Sequence, residues 1–365
     1  MGYDRDSFLA GVAAGRNMES WPAFEGSGET LMLLCGQGVL RLTLSYVDGL
    51  FIDWGDGTST TLTGSRSRYQ THETYSTDGD YYVTIIGNLK DIAFYWKYSS
   101  GSIFNRNSTA LRAVLTPLPS TMSEITDCSL MFQYSAVKHV HPGLFSKLPN
   151  VTDFSGLFTM APLKEIPETL FKWCTLARDF AYCFRGNGVL TEIPEKLFEH
   201  NPLAEDFSYC FSTCSEIANI PENLFANNPA ATDFSYCFES AGPMDIIPGN
   251  LFANNTNARK FQSCFEYCGA KEIGAGLFYN NLLAEDFSAC FLWADSIIYV
   301  GGNMFQAGGA ANNFNAFMAN CHQIGGYRPS AVPEVWTMYP NAAHVHAFYN
   351  VPMASNWNQI PSDWK

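Results

Sequence analysis

Few side chains in this chain carry charge. Only 15% are Asp, Glu, Lys or Arg, and basic residues are the scarcer kind, 21 against 35 acidic, leaving a net charge of −14. A chain so poor in Lys and Arg, with no basic run, is badly suited to grip a phosphate backbone or an anionic bilayer, so nucleic acid is not an expected partner. No stretch approaches 18 consecutive apolar residues, and membrane insertion is not expected either. The opening MGYDRDSFLAGVAAGRNMESW starts with acids, and its apolar segment is short and broken by glycines. It lacks the pattern of a secretory signal, which predicts folding in a cytosol. Cys-x-x-Cys pairs, a phosphate-cradling glycine loop and a nucleophile elbow are all missing. His322, His344 and His346 lack the spacing of a metal motif. No cofactor, no metal and no catalytic activity are therefore expected.

Low charge here does not mean disorder. Hydrophobic residues make up 47% of the chain, with 28 Phe and 18 Tyr, enough for a large core. The residues that build it recur. DFAYCF at 179–184, DFSYCF at 206–211 and 233–238, and DFSACF at 286–291 are copies of one motif, with degenerate copies at Asp127, Asp153, Lys260, Asn313 and His344. Most steps between copies are 26 or 27 residues. A period of that size predicts stacked units, each packed mainly on its neighbours. Within a unit, Phe234, Cys237 and Phe238 are spaced i, i+3, i+4, which predicts about two helical turns with Asp233 or Thr232 as N-cap. Apolar pairs such as Leu190/Ile193, Ile217/Ile220 and Met244/Ile247 predict one short parallel strand per unit, usually ended by a proline (Pro167, Pro194, Pro221, Pro248, Pro361). A Leu-Phe pair then plugs the core, and Asn-rich segments (ANNP, HNP) close the loop. Cys183, Cys210, Cys237, Cys264 and Cys290 share one slot and Cys214 and Cys268 another; with eleven cysteines in all, they read as reduced core thiols.

Ahead of the repeats, residues 26–87 alternate like strands, with a hairpin-type turn at Asp56-Gly57. Residues 6–17 predict a short helix, either a docking peptide or an ordinary terminal helix. The expected organisation is an N-terminal segment over 1–22, a β-sandwich over 23–95, and repeats over 96–365 with a cap from about 320.

Two resemblances sharpen these expectations. The run Asp53-Trp54-Gly55-Asp56-Gly57-Thr58, followed by His72, Tyr75, Gly79, Tyr82 and Val83, resembles a PKD domain, which implies a small immunoglobulin-like β-sandwich. Asp53 and Asp56 read as turn-capping carboxylates rather than calcium ligands. The repeats resemble BspA-like leucine-rich repeats of bacterial surface proteins in a Phe-rich variant, which implies an α/β solenoid. The order of segments, from YDRDSFLAGVAAGR to the closing IPSDW, is similar to structural or adhesive proteins of phages and prophages of gut bacteria.

The function these features point to is non-catalytic recognition: a virion component (tail fibre, baseplate or head fibre), assembled in the host cytoplasm, that binds a bacterial surface glycan or protein. It would attach to other virion proteins through the N-terminal segment, and a homo-oligomer is compatible with this. A bacterial cell-surface adhesin is the alternative and a polysaccharide depolymerase the third reading. Specificity is expected where units differ while the core stays constant: Lys164, Glu165, Thr191, Glu192, Asn219, Asp245, Lys271, Glu272 and Tyr299. An aromatic-rich C-terminal group adds Tyr327, Arg328, Trp336, Tyr339, His346 and Tyr349, read as an end cap or as a cap that also binds. Glu165, Glu192 and Glu272 recur with the unit, which argues against a singular catalytic pair.

Overall fold

A computed structural model describes residues 30–95, 107–327 and 329–365. The helix expected over residues 6–17 lies outside them, as does Arg328.

The amino-terminal strands follow the alternation of the sequence. β1 (Thr30–Cys35), β2 (Gly38–Asp53), β3 (Ser59–Leu62), β4 (Arg66–Tyr75) and β5 (Tyr81–Ala93) are antiparallel. Along β2, Leu40, Leu42, Leu44, Tyr46, Leu50 and Ile52 all face the core, because every second side chain of a strand points to the same face. Asp48 and Gly49, both at positive φ, interrupt the strand between Tyr46 and Leu50, where its register with β5 shifts. The Asp53–Thr58 turn is capped as the sequence suggests. Asp53 Oδ1 accepts from Gly55 N at 2.9 Å and Asp56 Oδ1 from Thr58 N at 2.8 Å.

The expected β-sandwich is not formed. These strands join β6 (Leu111–Val114) and β7 (His139–Val140) in one mixed seven-stranded sheet, ordered β3-β2-β5-β1-β6-β7 with β4 also on β2. The reason lies in β6. As the first apolar pair of the repeats it pairs antiparallel with β1 and parallel with β7, so the sheet runs on into the repeats. One continuous core extends from Leu31 to Trp364.

The α/β leucine-rich-repeat solenoid is also overturned. The fold is mainly β, and the described residues contain one α-helix, α1 (Val335–Met338), of four residues. No repeat contains the helix that its i, i+3, i+4 spacing suggested. Tyr209 and Thr213 sit in the left-handed region (φ 55° and 57°), and so do Tyr236 and Ser240 (58° and 53°), breaking any i→i−4 ladder. The backbone instead alternates between two partners. Phe207, Tyr209, Phe211 and Thr213 donate their N–H groups to Asp233, Ser235, Cys237 and Glu239 of the next unit, while Cys210, Ser212 and Cys214 donate three residues back. Phe234, Cys237 and Phe238 still all face the core, because this chain of turns brings the same positions inward as a helix would. Aspartate caps the turns rather than a helix: Asp179, Asp206, Asp233 and Asp286 each accept from the N–H two residues on.

Regular strands form in only some units, and proline explains which. β8 (Ile246–Ile247), β9 (Glu272–Ile273) and β10 (Tyr299–Val300) make a three-stranded parallel sheet. There the expected proline is replaced by Gly274 and Gly301, whose N–H groups donate to Ile247 O and Ile273 O, both at 2.8 Å. Pro167, Pro194, Pro221 and Pro248 have no N–H to give, and no strand is formed between Val140 and Ile246.

Candidate functional site

The repeat motif presents a different set of side chains to each side. In DFSYCF the two Phe and the Cys are fully buried, and the Tyr between them points outward. Tyr182, Tyr209 and Tyr236 therefore form an outer column, their rings 4.5 and 4.4 Å apart and parallel to within 7° and 4°. Arg185 lies 5.9 Å from both the Tyr182 and the Tyr209 ring centroids, a cation–π arrangement that joins two units. Burial and the neighbouring phenols Tyr236 and Tyr182 push the Tyr209 hydroxyl up to about 12.

Four residues after each of these slots lies a second outward column. It carries Thr213 and Ser240, then Tyr267 and Trp293, whose rings are parallel to within 2° at 6.3 Å. Beyond Trp293, His322 meets its edge at 6.2 Å and is held by Asp295 Oδ1 at 2.8 Å. Tyr182, Tyr267 and Trp293 are 39%, 53% and 43% exposed, so the two columns together make a diagonal aromatic track across consecutive units.

Ring spacings differ from column to column of the stack. The tyrosine column has spacings of 4.4–4.5 Å, whereas Phe180, Phe207, Phe234 and Phe261 step by 5.6 Å. Phe171, Phe198, Phe225 and Phe252, the plugs of the Leu-Phe side, step by 6.0, 6.0 and 5.9 Å. On the tyrosine side, backbone hydrogen bonds between units draw them to β-ladder separation. On the Leu-Phe side the turn bonds of these central units close within a unit, as from Leu224 N to Pro221 O and Ala226 N to Asn223 O.

The sequence-derived candidates lie elsewhere on the repeats. Lys164, Glu165, Thr191, Glu192, Asn219, Asp245 and Lys271 are exposed, and Glu272 and Tyr299 are half-buried. They do lie together on adjoining units of the strand side. Tyr299 is in register with Glu272, Lys271 Nζ reaches Asp245 Oδ1 at 2.7 Å, and His139 Nδ1 lies 3.2 Å from Glu165 Oε1. The C-terminal group is less uniform. Tyr327, His346 and Tyr349 are exposed, the last two in edge-to-face contact at 5.3 Å. Trp336 packs on Phe348, and Tyr339 is buried with its hydroxyl donating to Gln306 O at 2.7 Å, which makes it a core residue. The aromatic track was missed, although its signal was present: a Tyr between inward-facing Phe residues in three consecutive copies.

Two features of the aspartate and cysteine columns bear on chemistry. Asp153, Asp179 and Asp206 stack in parallel register, and burial with these neighbours pushes Asp179 up to about 6. Among the described residues no three His, Cys, Asp or Glu side chains converge to hold a metal ion. All eleven cysteines are unpaired and buried, and burial raises the thiols, Cys214 and Cys268 to about 12. No known protein family matches the sequence, and no curated protein does either.

Proposed function

We propose that this is a non-catalytic recognition protein that binds a bacterial surface molecule through the aromatic face of its repeats and is displayed on a phage or prophage virion. The observation that carries the reading is the exposed aromatic track. Tyr and Trp dominate binding hot spots because they remove much apolar area from water at little entropic cost. Rings fixed by neighbouring units lose little further freedom on binding. The virion setting rests on the similarity of the segment order to phage proteins, and buried unpaired thiols suit a chain that folds in a reducing cytosol.

The test is binding of the fluorescently labelled full chain to intact cells of a panel of gut bacteria. Replacing Tyr182, Tyr209 and Tyr236 together by Ser, a residue the same slot already holds at Ser263, is expected to reduce cell binding at least tenfold with the thermal transition retained. Equal binding by the triple variant would refute the reading. Release of reducing sugar from isolated envelopes would refute its non-catalytic part.

A further inference from the structure

The aromatic track changes column between two units, and that step leaves two ring faces uncovered by other rings. Tyr236 stacks on Tyr209 with one face, and its other face looks toward the next unit, where the same slot holds Ser263. Tyr267 stacks on Trp293 with one face, and its other face looks back to Ser240. Small residues thus sit where the next ring of each column would be. Around this step lie Glu239, Glu266 and Gln262, all half-buried. Ser212 Oγ and Ser240 Oγ donate to the two oxygens of Glu239 at 2.6 and 3.0 Å, fixing its carboxylate. Gln262 Nε2 donates to the Tyr236 hydroxyl at 3.2 Å. Burial is the first cause raising the Glu266 carboxyl, with Glu239 adding to it, so the two acids share one partly desolvated environment.

We infer that this step is a subsite for one neutral pyranose unit of a bacterial surface glycan, an inference that rests on the recognition reading above. The C–H face of a pyranose is apolar and slightly positive, and it matches the negative face of an aromatic ring. Its ring of hydroxyls needs acceptors and donors in the same place. Carboxylates accept from adjacent hydroxyls, and an amide supplies both roles. Two acids at the step, on a chain of net charge −14, disfavour anionic sugars. An apolar protein segment would take these half-buried carboxylates further out of water with no new donor, at a cost in free energy.

The test uses the full chain on a panel of neutral polysaccharides (glucans, galactans and mannans of several linkages) by affinity electrophoresis, together with whole cells before and after periodate oxidation. Tyr267→Ser and Tyr236→Ser place residues that these slots already hold at Ser240 and Ser263, so folding is preserved. Each is expected to weaken retention about tenfold, as is Glu239→Gln, while Tyr279→Ser, on the Leu-Phe side, leaves it unchanged. Cell binding is expected to fall at least tenfold after periodate treatment. Binding to cells that survives periodate would overturn the glycan inference and leave recognition standing. Retention by a polysaccharide that is indifferent to Tyr236→Ser and Tyr267→Ser would overturn the subsite. Failure to bind any cell or any neutral polysaccharide would overturn both.

Discussion

Asn254 and Asn255 are adjacent, identical in chemistry, and predicted to differ several-fold in what they contribute. Asn255 is fully buried, and its Nδ2 donates to Phe225 O at 3.1 Å and Asn228 O at 2.8 Å. The pattern repeats one unit up and one unit down. Asn228 donates to Phe198 O and Asn201 O, and Asn281 to Phe252 O and Asn255 O, so the buried amides form a ladder tying the Leu-Phe side of the stack together. Asn254 makes one exposed bond, to Ala226 O at 2.9 Å. In Asn255→Ala two buried carbonyls each lose one of two donors, Phe225 O keeping Asn228 N and Asn228 O keeping Ala231 N, at about 0.5–1.5 kcal/mol each, and the vacated amide leaves a small void. The expected cost is about 2–3 kcal/mol. Asn254→Ala removes a solvent-competed bond, and the expected cost is below about 1 kcal/mol. Urea unfolding followed by far-UV circular dichroism reads the difference as a shift in midpoint at constant slope. Amide hydrogen exchange adds location: protection should fall first in the units on either side of Asn255. Costs within about 0.5 kcal/mol of one another would refute the ladder as a stabilising device.

Three further outcomes follow from the packing. Phe238 is fully buried between Phe211 and Phe265, at 5.5 and 5.6 Å, so Phe238→Ala should cost about 3–5 kcal/mol in the same denaturation assay. Burial, with Lys147 adding to it, lowers His141 to about 4, and its Nδ1 accepts from Gly143 N at 2.9 Å. A base depressed in the folded state stabilises above its unfolded value of about 6.5 and loses that stability as pH falls from there toward 4. The stability difference between the parent and His141→Asn, which keeps an acceptor but cannot titrate, should therefore shift against the parent across that window; a flat difference contradicts the assignment. Finally, the eleven buried thiols should resist alkylation at neutral pH in the native protein and all react in denaturant, counted by mass spectrometry.

How much of this was legible in the sequence depends on which physical term decides each feature. The period, the inward Phe and Cys, the Leu-Phe plugs and the capping role of Asp53 and Asp56 follow from side-chain polarity and turn chemistry, both of which are local. The inward Phe and Cys also explain the failed helix. Phe234, Cys237 and Phe238 face one side in a helix and equally in a chain of turns, so spacing alone does not distinguish them. The choice is made by N–H groups such as those of Phe207 and Tyr209, which find carbonyls of the neighbouring unit instead of their own. The candidate surface suffered from the same blindness. Exposure and variability led to the strand side, including Lys271 and Glu272, and nothing local says on which side of the units outward rings line up.

The amino-acid sequence by itself determined what is buried and how often it recurs, because hydrophobic transfer and the proline and glycine limits on the backbone act residue by residue. It also determined where the parallel ladder breaks, since Pro167, Pro194 and Pro221 lack the ladder donor wherever the chain folds. Tertiary structure alone decided the rest. Backbone donors choose between partners in their own unit and in the next only when the next unit is present. That choice sets the separation of units, brings Tyr182, Tyr209 and Tyr236 into one stacked column, and divides Asn254 from Asn255.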